Sequence, residues 1–248
     1  MKVKRLLAVA AVTASMVFGS MNVFATELKG VGSTKEGERI SPNTVITGEI
    51  VPTPEEYEAY VQGLSAYDRQ QIAAKEAAAT RYARRAVSRA GRKISIPGTF
   101  TMYQQETEDY CIPATIKSML MYINGDSPTQ SDIAEVTGMD AKKIAGYLND
   151  KQHFYYVYVP APDQDDMCDK LYSTIAGSGM PASMGIAFTT LDNWFYYTLG
   201  HSLVVNAIYD DYSKIQFGDP HGDYIEGCPY FYEKEVSIVS DVCTRIVY

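Results

Sequence analysis

Between Cys111 and Gly125 the apolar side chains Ile112, Ile116, Met119, Leu120 and Ile123 fall three or four residues apart, which predicts a helix with one face in a core. Pro113 sits in its first turn, where a missing N–H costs nothing, and Gly125 supplies a stop. Ser127 to Gln130 reads as a capping box that opens a second helix ending near Gly138. Asp140 caps a third, from Ala141 to Leu148, with Ile144, Tyr147 and Leu148 inward. Phe154 to Val159 reads as a strand opened by His153. Asp163 to Ala176 is helical, with Met167, Leu171 and Ile175 on one face. Met180 to Phe188 is apolar and strand-like. From His201 the run Ser-Leu-Val-Val-Asn-Ala-Ile-Tyr is a β-branched strand, Asp210 to Ser213 is a turn, and Lys214 to Phe217 is a second strand. Together they form a hairpin that ends at Gly218-Asp219-Pro220. Helices followed by strands predict an α+β domain over residues 97–248.

Upstream the pattern changes. Residues 1–25 combine a basic start (Lys2, Lys4, Arg5), a short apolar stretch and small residues at Val23-Phe24-Ala25, the pattern of a secretory signal peptide. The apolar stretch is too short to span a bilayer, and no later segment is long enough. Residues 26–96 divide in two. Glu27 to Pro52 is rich in Gly, Ser, Thr and Lys and reads as a flexible leader. Thr53 with Glu56 forms a capping box for a helix opening at Pro54, and Ala73 to Ala90 is an Ala- and Arg-rich helix.

The net charge of -8 hides a split. Residues 1–96 carry 14 Lys+Arg and 9 Asp+Glu, a charge of +5; residues 97–248 carry 8 and 21, a charge of -13. The acidic half argues against nucleic acid, because phosphate binding calls for clustered Lys and Arg, and it favours basic substrates. The asymmetry also favours contact between the halves. The four cysteines are Cys111, Cys168, Cys228 and Cys243. In a secreted chain Cys228 and Cys243 are the best candidates for a disulfide, and Cys168 reads as a small buried apolar residue. No Cys/His spacing resembles a zinc site, and no cofactor is expected.

Four residues in order carry candidate chemistry. Cys111 stands at a helix start, where the dipole and free N–H groups favour thiolate. His201 opens one hairpin strand and Asp219 follows the other, so pairing sets them side by side as a base and its orienter. Gln105, six residues before Cys111, is placed to donate to an oxyanion. His221 is a spare base and His153 looks structural. Asn193 to Tyr197 reads either as core or as cleft wall.

These residues resemble the papain-like cysteine peptidases. The closer likeness is to the branch that processes bacteriocin double-glycine leaders and to its secreted relatives in Gram-positive bacteria. Gln105 to Cys111, Gly200-His201 before an apolar strand, Asp219-Pro220 after a hairpin, and Thr129-Gln130 opening the second helix follow that family's pattern. The resemblance implies a helical lobe with the nucleophile, a sheet lobe with His201 and Asp219, and a peptide or protein substrate. Ile112 departs from it, since the family usually has Gly after the Cys. Two alternatives stay open: a catalytically inactive papain-like binding module at the cell surface, or an acyl transferase with the same Cys-His machinery. Residues 26–96 then read as a pro-segment whose basic helix lies over an acidic cleft, with Arg84-Arg85 as a processing site, or as a solvated linker.

Overall fold

In the computed structural model of the chain, residues 27–32, 39–85 and 90–248 are described, the side chains of 83–85 excepted. The segment read as a signal peptide lies outside the described residues, as do the side chains of the Arg84-Arg85 pair. In chain order the elements are β1 (Glu27–Val31), β2 (Val45–Thr47), α1 (Pro54–Gly63), α2 (Ala66–Arg85), β3 (Lys93–Ser95), β4 (Thr99–Tyr103), α3 (Cys111–Asn124), α4 (Gln130–Thr137), α5 (Lys143–Lys151), β5 (Tyr158–Pro160), α6 (Gln164–Tyr172), a π-helical turn (Ser173–Gly177), β6 (Ala182–Ile186), β7 (Tyr197–Tyr209), β8 (Lys214–Gly218), β9 (Phe231–Glu235), α7 (Val236–Val242) and β10 (Cys243–Val247).

The main sheet runs β5-β10-β6-β7-β8-β9, all antiparallel, and β7 is its long centre. Helix α3 packs on β7 and β4 and is flanked by α4 and α5. Ile112, Ile116, Met119 and Leu120 are buried on it, as their spacing predicts. Each such side chain contributes about 1.5–3 kcal/mol by leaving water. Gly125 closes the helix at φ 74°, a left-handed turn that a side chain would resist. Ile112 is fully buried within the apolar core.

Local differences from the sequence pattern have identifiable causes. Thr129, rather than Ser127, caps α4, because its hydroxyl accepts from Asp132 N–H while Asp132 answers Thr129 N–H. Residues 154–157 form no strand; the Asn149 amide bonds the Tyr156 backbone instead. His153 is exposed in a bend. No disulfide joins Cys228 to Cys243: the Cys228 thiol turns toward Asp219, the Cys243 thiol donates to Arg245 O, and all four cysteines are free thiols.

The largest difference lies upstream. The stretch expected to be a flexible leader supplies two strands. β1 pairs parallel with β4, and β2 pairs parallel with β7 at Tyr197 to Gly200. The capping box at Thr53 and Glu56 forms as predicted. Helix α2 docks on α6 and the π-helical turn, not over the start of α3. Lys75 anchors it, donating to Tyr155 O and lying over the rings of Phe154 and Tyr248, while Glu76 accepts from Tyr248.

Candidate active site

Cys111 is the first residue of α3, and no side chain caps that end. The loop before it is strapped from three directions. Gln130 donates to Gln104 O and accepts from Glu106 N–H, Gln104 donates to Gly222 O, and Gln105 N–H bonds Pro220 O. Gln130, noticed in the sequence only as part of a motif, thus fixes the approach to Cys111. The Gln105 amide donates to Thr107 O at 2.8 Å and Glu108 O at 2.9 Å. Both of its N–H groups are therefore turned to the loop in this state, and its oxygen has no partner among the described residues.

The hairpin brings His201 and Asp219 together as its pairing predicts. Val204 pairs with Gly218, and His201 Nε2 lies 3.0 Å from Asp219 Oδ1. Asp219 is fully buried and gathers further donors: His221 N–H at 2.8 Å, Tyr196 hydroxyl at 2.7 Å and Tyr232 hydroxyl at 2.6 Å. Burial alone would raise its pKa, but the charge of His201 and these hydrogen bonds outweigh it and hold the carboxyl well below the usual range. A carboxylate at Nε2 assigns that nitrogen the proton, which leaves Nδ1 as the basic atom. Nδ1 has no partner among the described residues.

The His221 ring stacks on His201 at 3.9 Å and 9°. Burial and the neighbouring His201 charge press its pKa well below normal, so it stays neutral. The spare base is thus a stacking plate. Within Asn193 to Tyr197, Trp194 and Tyr196 are core, the more favoured of the two sequence readings, and both also serve Asp219. Tyr196 binds Asp219, and Trp194 Nε1 donates to the Tyr232 hydroxyl, which binds the same oxygen.

The element over Cys111 is extended chain. Ile40 bridges to Ile225, β2 follows β7, and Ile50 N–H bonds Met139 O, so residues 40–50 run from the sheet lobe to the helical lobe. Between these contacts the Cys111 thiol donates to Gly48 O at 3.0 Å. An added Cβ on Gly48 would stand 2.8 Å from the sulfur, so only glycine fits here. Burial, then the charge of Glu49, drives the thiol pKa up, while Ser202 N–H and Arg245 pull weakly the other way. The thiol is therefore protonated.

Glu49 enters a buried pocket. Its carboxylate meets Arg245 Nε at 3.1 Å and Nη2 at 2.5 Å, and the same guanidinium donates to Ser183 and Ser202 hydroxyls at 2.7 Å each. Sequence reading missed this pair. A signal did exist: Arg245 is the one arginine after residue 92 and lies in the apolar strand Cys-Thr-Arg-Ile-Val-Tyr. A buried charge needs a partner. Among the described residues no group of three His, Cys, Asp or Glu is placed to hold a metal ion, and no helix is long and apolar enough to cross a membrane.

No curated protein matches the chain. Among solved structures it is similar to Xylellain, a cysteine protease from Xylella fastidiosa, at 11% sequence identity over 65% of this chain and 87% of that one, with a TM-score of 0.44. Residues 98–235, more than half of the chain, match the Peptidase_C39 like family. That span holds Cys111, His201 and Asp219 on the α+β framework of a helix packed against an antiparallel sheet, and the chain belongs to this family of cysteine-type peptidases.

Proposed function

We propose that the chain is a secreted peptidase of a Gram-positive bacterium, made as a latent precursor in which residues 26–96 act as a pro-segment. The observation that carries the reading is the pairing of the Cys111 thiol with Gly48 O while His201 Nδ1 is left without a partner. The polarised Asp219 and the oriented imidazole support catalytic competence; the buried thiol supports latency.

Once the segment leaves, His201 Nδ1 takes the thiol proton. The thiolate attacks a peptide carbonyl carbon, and the charge that develops on oxygen meets the N–H groups at the start of α3. Gln105 joins them when its amide releases a loop carbonyl. The C–N bond then breaks as His201 returns the proton to the leaving amine, and water frees the acyl group. In the latent state Gly48 offers the sulfur its oxygen rather than its carbon. That hydrogen bond holds the carbonyl away from an attack geometry, which accounts for an uncut segment.

The basic N-terminal stretch with its short apolar run supports export, and the likeness to secreted relatives of the leader-processing branch supports the Gram-positive setting. Labelling by a thiol-reactive peptide ketone with mass mapping tests the reading. Wild type is expected to label at Cys111 alone, faster after limited trypsin treatment, and Cys111→Ala is expected to lose both label and hydrolysis. Full hydrolysis by Cys111→Ala would sink it.

A further inference from the structure

We infer that Arg245, with the hydroxyls of Ser183 and Ser202, forms a subsite for an acidic side chain of the peptide substrate, and that Glu49 is its internal mimic. The inference rests on the peptidase reading above and adds substrate class to it.

The carboxylate that neutralises Arg245 comes from the segment that covers Cys111, not from the body of the domain. Glu49 directly follows Gly48, whose oxygen touches the nucleophile, so the pocket lies one residue from the reacting position. Arg245 is fully buried on β10, Ser183 lies on β6 and Ser202 on β7 next to His201. Three sheet strands thus meet at one carboxylate: Arg245 binds it through two nitrogens, Ser202 hydrogen-bonds it, and Ser183 accepts from the guanidinium and holds it in place. A guanidinium binding through two nitrogens selects planar anions by geometry as well as by charge.

Glycines on the sheet make room for Glu49, one at its side chain and one at its backbone. A Cβ on Gly185 would stand 2.3 Å from Glu49 Oε1, and one on Gly200 would stand 2.2 Å from Glu49 O. When the segment departs, Arg245 is left without its carboxylate partner. A glutamate side chain restores its pairing; an apolar or basic side chain leaves it unpaired at high cost. The overall acidity of residues 97–248 favours basic partners, and this subsite is a local exception to it.

The test uses the full chain carrying Glu49→Gln after the limited trypsin treatment that activates it, so that neither Gly48 nor residue 49 occupies the site. Two fluorogenic peptide series are compared, with Glu placed before or after the glycine at the cleavage position, each against its Gln isostere. In one series kcat/KM is expected to favour Glu over Gln at least tenfold. Arg245→Met in the same background abolishes the preference, while Arg245→Lys, which keeps the charge without the fork, retains part of it. Iodoacetamide alkylation of Cys111 is followed in every variant. Alkylation and peptide cleavage with equal rates for Glu and Gln would overturn the subsite and leave the peptidase reading intact. A preference that survives in Arg245→Met would do the same. No alkylation and no cleavage of any peptide would overturn both.

Discussion

Tyr196→Phe isolates the value of one donor to the buried carboxylate. The Tyr196 hydroxyl donates to Asp219 Oδ2 at 2.7 Å, and both residues are fully buried. A hydrogen bond to a charged group contributes about 1.5–3 kcal/mol net. The ring itself is unchanged, so its edge contact with His201 at 5.5 Å persists and the oxygen leaves only a small void. Asp219 keeps Tyr232, the His221 N–H and His201, which moderates the loss. The expected destabilisation is about 2 kcal/mol. Tyr232→Phe costs more, about 3 kcal/mol or above, because its hydroxyl also accepts from Trp194 Nε1 and that donor is left buried without a partner. Urea unfolding at pH 7 measures both, with a constant m-value as the check that the native state is intact. In an Asp219→Asn background the acceptor is neutral, and the cost of Tyr196→Phe falls to about 1 kcal/mol. A cost for Tyr196→Phe below about 0.5 kcal/mol, or one that is equal in both backgrounds, would refute the claim that the phenols act by holding a carboxylate.

The other predictions concern the seal and the pH window. Gly200→Ala puts a methyl group against the Glu49 backbone, to which the three nearest heavy atoms belong. Cys111 alkylation should rise at least tenfold and the melting temperature fall; no change in either would mean that the segment does not sit against β7. His221 is a base whose pKa is depressed in the fold, so the unfolded chain binds its proton more readily. Its contribution is present above about pH 6.5 and is lost as pH falls below that value. Asp219 has a depressed carboxyl pKa, so its contribution is present above about pH 4 and is lost below it. Thermal melts should therefore decline from about pH 6.5 and steepen below about pH 4. His221→Phe keeps a stacked ring at a position where neither ring nitrogen has a partner among the described residues. It should flatten the upper part of the decline, and a profile identical to wild type would contradict a buried neutral His221.

The legible parts of the chain were those whose pattern and partner lie close in sequence. Helix α3 shows its buried face at helical spacing, and the hairpin that joins His201 to Asp219 needs only two strands and a turn. The capping box at Thr53 is complete within four residues. What stayed hidden depends on contacts between distant segments. β1 has the sequence Glu-Leu-Lys-Gly-Val, with no apolar alternation, and it is held by backbone pairing to β4. Backbone hydrogen bonds take any sequence, so composition suggests a flexible leader where a strand forms. Glu49 and Arg245 stand 196 residues apart, and neither shows the other's presence. The Cys228–Cys243 expectation rested on proximity in sequence, and it failed because Asp219 and Arg245 O engage the two thiols instead.

The terms acting on Cys111 explain why one segment can serve as a switch. The helix start, Ser202 N–H and Arg245 favour thiolate; burial and Glu49 oppose it and prevail. Glu49 brings the negative charge, and Gly48 is one of the groups that cover the sulfur. In the proposed activation, loss of the segment would uncover the sulfur on one side, remove the Glu49 charge and leave Arg245 without its carboxylate. The Gly48 hydrogen bond disappears in the same event and releases the thiol proton for His201 Nδ1. In that proposed activation these changes all act toward thiolate, and release of residues 26–96 also takes β2 and β3 from the edge of β7 and β1 from β4. Asp219, held by donors that belong wholly to residues 196–232, is unaffected by the segment. In the proposed latent state the base is thus already prepared, and the segment gates the nucleophile.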